Sequence, residues 1–463
     1  MKKKLGFYSI VLLTINSVIG TGIFLSPGTV VASTVQQALL VYLLAAVFAS
    51  VLAITFAAAA KYVSKGGAAY AKAAFGDNVG FYVGITRYIA ASIAWGVMGT
   101  AVVKTVFGIF GLDNTNMTYI TLGFICLMAV LLLVNIFGTR IFEVINNLST
   151  IGKVGALVTT IVVGLAIVLF GNVNQFGTIS SIMNSAGEPL GSNLDMGAYC
   201  MAIIAAFYAF TGFESVASGS EDMEAPEKNL PRAIPLAIAI VAAIYIGIVG
   251  VAMMINPEAI VSTTEVVALA EVFDNNIIRS MIVIGALVSM FGINVAASFH
   301  TPRILEAMAL QGQIPSAFTK RTENGFPLTS FLITIGIAIL LPMAFGFNMS
   351  SIIVFSSISR FIQFIIVPLV VIIFYLGKER GEALQDVKKN PVVDVFIPGL
   401  ALAFTLLLLY KFSWAQQFTI TLENGEVVAN VFAITAMVIG YIILPIVLMI
   451  WKNNQTKVAT ATN

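Results

Sequence analysis

The sequence predicts an all-α polytopic membrane protein with about twelve transmembrane helices. Hydrophobic residues make up 59% of its 463 residues and charged residues only 10%, whereas an average soluble domain is roughly 45–50% apolar and about 25% charged. The charged residues cluster between apolar runs of about 20 residues, the helix length that crosses a hydrocarbon core of about 30 Å. We therefore expect the lipid bilayer to be the main solvent of the chain.

Apolar runs and the breaks between them predict the order of the helices. The predicted helices of the first half lie at about 7–33, 37–62, 79–108, 119–137, 143–170 and 197–220. Those of the second half lie at about 233–255, 276–308, 328–346, 348–377, 393–411 and 428–451. We expect one transmembrane domain over 1–463, ending in a short polar tail at 452–463 that is cytoplasmic and disordered.

The basic residues predict a multi-pass protein of the cytoplasmic membrane with both termini in the cytoplasm. Cytoplasmic loops hold an excess of Lys and Arg, and with the N-terminus inside, the predicted outer loops hold only Lys411. One missed helix early in the chain would reverse every later loop, so the alternation supports the helix count. The bases assigned to the inside are Lys61, Lys65, Lys72, Arg87, Arg140, Lys228, Arg232, Arg303, Lys320, Arg321, Lys378, Arg380, Lys388, Lys389, Lys452 and Lys457.

Several classes of function lack their usual residues in this sequence. Cys126 and Cys200 lie in separate apolar runs and His300 is the only histidine, so we expect no disulfide framework, no metal site and no histidine-based catalytic triad. No Gly-x-x-x-x-Gly-Lys-Ser/Thr phosphate loop occurs. The sequence therefore predicts neither an enzyme nor a cofactor, no nucleic-acid partner and no ATP-driven step, and it sets no oligomeric state.

The first predicted helix should be interrupted near its middle. The run from Asn16 to Phe24 places Gly20, Thr21 and Gly22 at membrane mid-depth. Glycine lowers helix stability by up to about 1 kcal/mol per site, and backbone groups freed in hydrocarbon cost several kcal/mol each unless a polar group satisfies them. A polar ligand is one such partner.

The sixth predicted helix carries a matching interruption between Phe207 and Ser215, around Thr211 and Gly212. Paired interrupted helices are typical of a transporter's central site, where half-helix N-termini attract an anionic group and freed carbonyls accept from a cation. An α-amino acid zwitterion presents both charges. The alternative is that these glycines only permit close helix packing.

Four motifs occur in a fixed order along the chain. They are Gly20-Thr21-Gly22-Ile23-Phe24; Lys65-Gly66-Gly67-Ala68-Ala69-Tyr70 with Phe75-Gly76; Gly212-Phe213-Glu214-Ser215 with Glu221, Pro226, Asn229, Leu230, Pro231 and Arg232; and Arg303 with Leu305, Ala307, Gly312, Pro315, Gly325 and Pro327. With them the chain resembles the amino acid, polyamine and organocation (APC) superfamily of transporters, in particular its bacterial amino acid permeases. The resemblance implies a LeuT-like fold with an inverted repeat of five plus five helices, 7–170 and 197–377, followed by two additional helices at 393–451.

The resemblance also implies the position of a substrate site. In such transporters helix-one amides and a hydroxyl hold the substrate carboxylate, which matches Gly20, Thr21 and Gly22. Helix-end carbonyls face its amine, which matches Val18, Tyr208 and Thr211. An aromatic residue of helix six closes over the substrate, for which Tyr208 is the first candidate and Phe207 and Phe210 are competitors. The remaining predicted site residues are Ile19 and Gly212.

Three ionisable residues predicted at membrane depth are candidates for coupling or gating, because such charges usually face a cavity or a partner. Lys153 matches a lysine that several sodium-independent family members place where relatives bind sodium; a static brace between helices one, five and eight is the alternative. Glu214 matches a carboxylate linked to gating or proton sensing, with capping of the break as its alternative. Arg360 departs from the expected apolar pattern and either lines a vestibule or pairs with Glu214.

These features predict a secondary active transporter of amino acids, with small neutral L-amino acids as first candidates, which works by alternating access as a sodium-independent exchanger or a proton symporter. The alternative is an antiporter of cationic amino acids or polyamines, but Glu214 is the only obvious central carboxylate for a distal cation. From a different class, a transporter-like nutrient sensor or an intramembrane enzyme lacks the expected output domain or catalytic motif.

Overall fold

A computed structural model describes residues 4–20, 22–63, 67–113, 116–183, 189–190, 195–262, 268–344, 349–380, 387–412, 414–421 and 426–461. These ranges are almost entirely helical, with one short antiparallel hairpin among them. The structure therefore confirms the predicted all-α class.

The described residues of the first half form eight α-helices, two of which are halves of the predicted first helix. They are α1 (Phe7–Val18), α2 (Gly22–Thr34), α3 (Ala38–Tyr62), α4 (Gly67–Phe75), α5 (Asp77–Ile109), α6 (Met117–Ile136), α7 (Thr139–Phe170) and α8 (Met196–Tyr208). Short 3₁₀ segments lie at Val35–Gln37, Phe176–Ser181 and Phe213–Asp222.

The second half is also helical. Its helices are α9 (Pro226–Ile255), α10 (Pro257–Ser262), α11 (Ala268–Glu271), α12 (Asn276–Leu310), α13 (Leu328–Ala344), α14 (Met349–Tyr375), α15 (Ile397–Lys411), α16 (Trp414–Gln417), α17 (Val431–Val438) and α18 (Leu444–Ala461). A 3₁₀ segment lies at Ser316–Thr319, π-helical turns at Val392–Phe396 and Ile439–Ile443, and strands β1 (Thr419–Thr421) and β2 (Val427–Ala429) pair with Ile420 opposite Val428. Because α18 continues to Ala461, the expectation of a disordered tail is wrong over 452–461.

Eight helical stretches of the described chain are long and apolar enough to cross a membrane. They are Ser26–Tyr62, Asp77–Ile109, Met117–Ile136, Thr139–Phe170, Met196–Asp222, Pro226–Ile255, Asn276–Leu310 and Val392–Lys411. Shorter apolar helices lie at Phe7–Val18, Leu328–Leu340, Arg360–Tyr375 and Ile439–Asn453. The chain is thus an integral membrane protein, whereas the count of twelve spans and the inverted repeat stay predictions.

The helices differ in how deeply they lie in the bundle. Helix α3 packs along α9, and α12 packs on both α5 and α7. By contrast, α6 and α7 expose large apolar side chains such as Leu122, Leu133 and Leu148. A continuous apolar outer surface is expected where lipid rather than water is the neighbour.

Local sequence signals fix several helix starts. Asn116, Asp195 and Asn275 each accept a hydrogen bond from a backbone N–H in the first turn of α6, α8 and α12, respectively, which satisfies donors that have no partner within a helix. Helix α9 begins at Pro226, earlier than its predicted start at 233. Proline is favoured at a first helical position, because the N–H that it lacks would have no partner there.

Candidate functional site

The first helix is interrupted where the sequence predicts. Helix α1 ends at Val18, Ile19 is extended with φ −73° and ψ 100°, and α2 begins at Gly22. The N–H of Ile19 still donates to the carbonyl of Ile15 at 2.8 Å, so the carbonyls that lose their helical partners are those of the last turn. Thr21 lies outside the described residues.

The interruption of the sixth helix is also present. Helix α8 ends at Tyr208, and the chain turns through Gly212, whose φ of 125° is rarely open to other residues. The hydroxyl of Thr211 donates to the Tyr208 carbonyl at 2.7 Å, and the hydroxyl of Tyr245 donates to the Ala209 carbonyl at 3.0 Å. The segment that follows is a 3₁₀ helix rather than the α-helical half that the sequence suggested.

The two interruptions meet backbone to backbone. A Cβ atom on Gly212 would lie 2.1 Å from the carbonyl oxygen of Ser17, and one on Gly22 would lie 2.8 Å from the Cα of Ala209. A Cβ on Gly20 would lie 2.3 Å from Cδ1 of Ile293 in α12. At Gly212 and Gly22 the close atoms belong to the backbone, so only glycine permits the approach there, and the three glycines lie at one junction of α1, α2, α8 and α12.

The three aromatic candidates of helix six face different surroundings. Phe207 is buried, with its ring centroid 4.4 Å from that of Phe48, and Phe210 is fully buried at 5.0 Å from Tyr245. Tyr208 is half-buried, and the guanidinium of Arg360 lies 5.2 Å from its ring centroid. Of the three, Tyr208 is the ring that borders charged groups.

Lys153 binds the carbonyls at the first interruption. It is completely buried in α7, and its ammonium donates to the carbonyl of Ile19 at 2.6 Å and to that of Ser289 at 3.2 Å. A longer contact of 3.4 Å reaches the carbonyl of Asn16. One side chain therefore joins α1, α7 and α12 and satisfies main-chain oxygens that the helix break leaves without partners.

Polar side chains surround this ammonium. The Oγ of Ser289 donates to the Ile19 carbonyl at 3.2 Å, and the amide of Asn16 donates to Asn146 at 2.8 Å and to Ser149 at 3.2 Å. A Cβ on Gly292 would lie 2.5 Å from Oδ1 of Asn16. The packing around the break therefore leaves room for these polar groups only because position 292 lacks a side chain.

Glu214 forms a buried ion cluster next to the second interruption. Its Oε2 accepts from the N–H of Gly212 at 2.7 Å, and its Oε1 accepts from Arg87 at 3.2 Å and from Arg360 at 3.0 Å. Arg87 also donates to the hydroxyl of Ser215. The pairing of Arg360 with Glu214 is thus the geometry observed, and Glu214 caps the break in the same arrangement.

Arg87 is the site residue that sequence reasoning missed. The distribution of bases assigns it to an inside segment, but it lies inside α5 and is buried. Its place within the predicted helix 79–108, rather than in a loop, was the available signal. A buried arginine at this depth is a functional candidate by the same reasoning as Arg360.

A second ion network closes one end of the bundle. Asp222, at the end of the 3₁₀ segment, accepts from Arg303 at 2.7 Å and from Arg321 at 2.6 Å. Arg321 also donates to Glu306. Burial by itself would lower the pKa of Arg321, but the hydrogen bonds to Glu306 and the charge of Asp222 raise it above its ordinary value.

The N-terminal segment is joined to the same end. Leu5 donates its N–H to the carbonyl of Asp222 at 2.8 Å, and its carbonyl accepts from Glu224 at 2.9 Å. This short parallel bridge between Leu5 and Met223 ties the residues before α1 to the end of the helix-six segment. The two interrupted helices are thus connected at the break and again at the end of the bundle.

The chain is similar to known transporters over nearly its whole length. A family model described as amino acid permease matches residues 5–454. An uncharacterized transporter of Mycobacterium tuberculosis is 40% identical over 455 residues, which cover 96% of this chain and 93% of the relative. These similarities indicate a transporter rather than an enzyme.

More distant relatives carry names that state a substrate. The serine/threonine exchanger SteT of Bacillus subtilis is 28% identical over 421 residues, which cover 87% of this chain and 89% of the relative. The branched-chain amino acid permease BcaP of the same organism is 24% identical over 461 residues, which cover 92% of each chain.

We predict that Asp222→Asn destabilises the protein, because Arg303 and Arg321 would lose a buried carboxylate. Removing one partner of a buried ion pair costs about 3–5 kcal/mol, so the thermal unfolding temperature in detergent should fall clearly. The matched control is Glu271→Gln, whose pair with Arg279 is partly exposed and should contribute about 0–1 kcal/mol. Equal effects of both substitutions would contradict a special role for the network.

Gly212→Ala should prevent correct assembly of the two interruptions. The new Cβ would collide with the Ser17 carbonyl, and the positive φ would add strain of about 1–3 kcal/mol. Size-exclusion chromatography of the detergent-solubilised protein should show loss of the monodisperse peak. Gly155→Ala is the control, because a Cβ there meets no atom of another described element within 4 Å. Normal behaviour of both variants would show that the contact is not required.

Proposed function

Because this chain belongs to the amino acid permease family, we propose that it is a sodium-independent secondary transporter that carries amino acids across the cell membrane. The observation that carries the proposal is the junction of two helix breaks, with Ser17 and Gly212 in backbone contact and the Lys153 ammonium bound at the first break. A membrane protein that needed only a stable bundle would gain nothing from two unwound segments at this depth.

The junction offers opposite charges to a zwitterion. The start of α2 at Gly22 presents backbone N–H groups and the positive end of a helix dipole, which favour a carboxylate. The end of α8 presents carbonyls, which favour an ammonium group; the carbonyl of Tyr208 also accepts from the hydroxyl of Thr211 at 2.7 Å, so a substrate amine would share it. We assign the α-carboxylate to Gly20, Thr21 and Gly22, and the amine to the carbonyls of Val18, Tyr208 and Thr211.

Lys153 takes the place of a bound cation in this proposal. Its ammonium binds carbonyl oxygens of two different helices, which is the kind of coordination that a sodium ion would receive in an unwound segment. Because this charge is covalently attached, no sodium is needed to hold the first break in shape. The alternative of a static brace uses the same contacts, and only a functional test separates the two.

The contacts at the breaks say less about the substrate's side chain than about its α-amino and α-carboxylate groups. Small neutral L-amino acids are the first candidates, since SteT is named a serine/threonine exchanger and BcaP a branched-chain amino acid permease. A cationic amino acid or polyamine is less favoured, because Glu214 already accepts from Arg87 and Arg360. Exchange with a counter-substrate and symport with protons are both compatible with these contacts.

The ion network around Asp222 supports a cytoplasmic end that opens and closes. Asp222 binds the backbone of Leu5 and the side chains of Arg303 and Arg321. The sequence assigns the N-terminus and both arginines to the cytoplasm, so this network brings together three parts expected on the same side. In alternating access, substrate release on this side would require the bonds of Asp222 to break.

We predict that the purified protein in proteoliposomes takes up radiolabelled L-serine or L-alanine without sodium. Uptake should depend on a counter-substrate inside the vesicles or on an inward proton gradient, and replacing choline with sodium outside should leave the rate unchanged. Empty vesicles and excess unlabelled substrate are the controls. Strict dependence on sodium would remove the role proposed for Lys153, and absence of uptake for every amino acid would remove the function.

Lys153→Ala should reduce uptake strongly while leaving folded protein, because the carbonyl of Ile19 would lose its charged donor at 2.6 Å. Uptake and the elution profile should be measured on the same preparation. Lys104→Ala, a change near the predicted outer end of α5, is the matched control and should behave as wild type. Unchanged uptake by the Lys153 variant would identify a brace without a part in the cycle.

A further inference from the structure

The ion cluster around Glu214 contains more positive than negative charge among the residues that the structure describes there. One carboxylate, that of Glu214, receives two guanidinium groups, and their side chains are only 8% exposed in Arg87 and 12% exposed in Arg360. A net charge inside an apolar bundle is costly unless another group compensates it. The cluster therefore favours an anion as a further partner.

The guanidinium groups also have donors to spare. Among the residues that the structure describes, the Nε and Nη1 of Arg87 and the Nη1 of Arg360 are buried without a hydrogen-bond partner. Leaving charged donors unsatisfied in a buried place is strongly unfavourable, whereas the planar fork of an arginine matches the two oxygens of a carboxylate. The chemistry of these free donors indicates a carboxylate rather than a neutral acceptor.

This group of donors borders the second helix interruption. Arg360 lies over the ring of Tyr208, 5.2 Å from its centroid, and Glu214 binds the N–H of Gly212 at 2.7 Å. A cavity of about 10 Å³, with room for about one water molecule, lies beside Arg87 and Glu214. Its other lining residues are Ala68, Gly84, Ser218, Ile304, Ala307 and Gln363. If an amino acid binds at the interruptions, the cluster lies next to it, on the side where Tyr208 is.

We propose that Arg87 and Arg360 form a side-chain subsite for a second carboxylate, so that the transporter favours an acidic amino acid over its uncharged isostere. The inference rests on the proposed function, because the α-amino and α-carboxylate groups are assigned to the interruptions. It extends the substrate range beyond small neutral amino acids. A distal carboxylate would compensate the excess positive charge and accept from donors that Glu214 does not use.

The test compares isosteric pairs that differ only in this charge. Binding of L-glutamate and L-glutamine, and of L-aspartate and L-asparagine, should be measured by thermal shift on the purified protein, with L-serine as reference. We expect the acid of each pair to bind about tenfold more tightly than its amide, the usual scale for a charged hydrogen-bonded contact. Potassium chloride titrated alone reports whether an inorganic anion occupies the subsite instead.

Substitutions then locate the effect. Arg360→Gln and Arg87→Gln should each abolish the preference for glutamate over glutamine. Arg360→Lys keeps the charge but loses the planar fork of donors. It should therefore fold even if Arg360→Gln does not, and it should retain part of the preference for glutamate. Arg279→Gln is the matched control, since this arginine pairs with Glu271 outside the cluster and should leave the preference unchanged.

The outcomes separate the two proposals. If serine or another neutral amino acid binds but glutamate binds no better than glutamine, the subsite is wrong and the transporter proposal stands. If chloride stabilises the wild type and removes the difference between glutamate and glutamine, the donors serve an inorganic anion, and the subsite is again wrong. If no amino acid binds, the proposed function fails first.

Discussion

The shape of the first helix break depends on keeping main-chain oxygens satisfied inside an apolar bundle. The ammonium of Lys153 meets this requirement at Ile19, and its second contact at Ser289 adds α12 to the same point. At the second break Gly212 has its N–H bound by Glu214, and the backbone of the first break lies directly against it. A charged side chain thus stabilises each unwound segment: Lys153 of α7 binds the first break, and Glu214, two residues after Gly212, binds the second.

The buried charges form three groups along the interrupted helices. Lys153 lies at the first break, the cluster of Arg87, Glu214 and Arg360 lies beside the second, and the network of Asp222 lies at the end where Leu5 is bound. All three connect the interrupted helices to longer helices that surround them. A movement of the interrupted helices relative to the rest of the bundle therefore has to rearrange charged contacts rather than only apolar ones, which favours discrete states over gradual deformation.

Sequence reasoning predicted what depends on local pattern. The glycines at 20, 22 and 212 indicated the two breaks, and a lysine in an apolar run indicated a special role for position 153. Partners distant in the chain were harder to foresee: Arg87 and Glu214 are separated by 127 positions, and a base near a helix end resembles one in a loop. The segment Phe213–Asp222 packs against α12 as a 3₁₀ helix, and such distant contacts are not visible in its local pattern.

A cation that is part of the polypeptide has a thermodynamic consequence. A sodium ion that dissociates on the far side of the membrane brings the energy of its own concentration difference to each turnover, but the ε-amino group of Lys153 returns with the protein and brings none. Under the proposed function, the steady-state accumulation ratio of the substrate is then limited by its exchange partner or by protons. A sodium gradient across the membrane would leave this ratio unchanged.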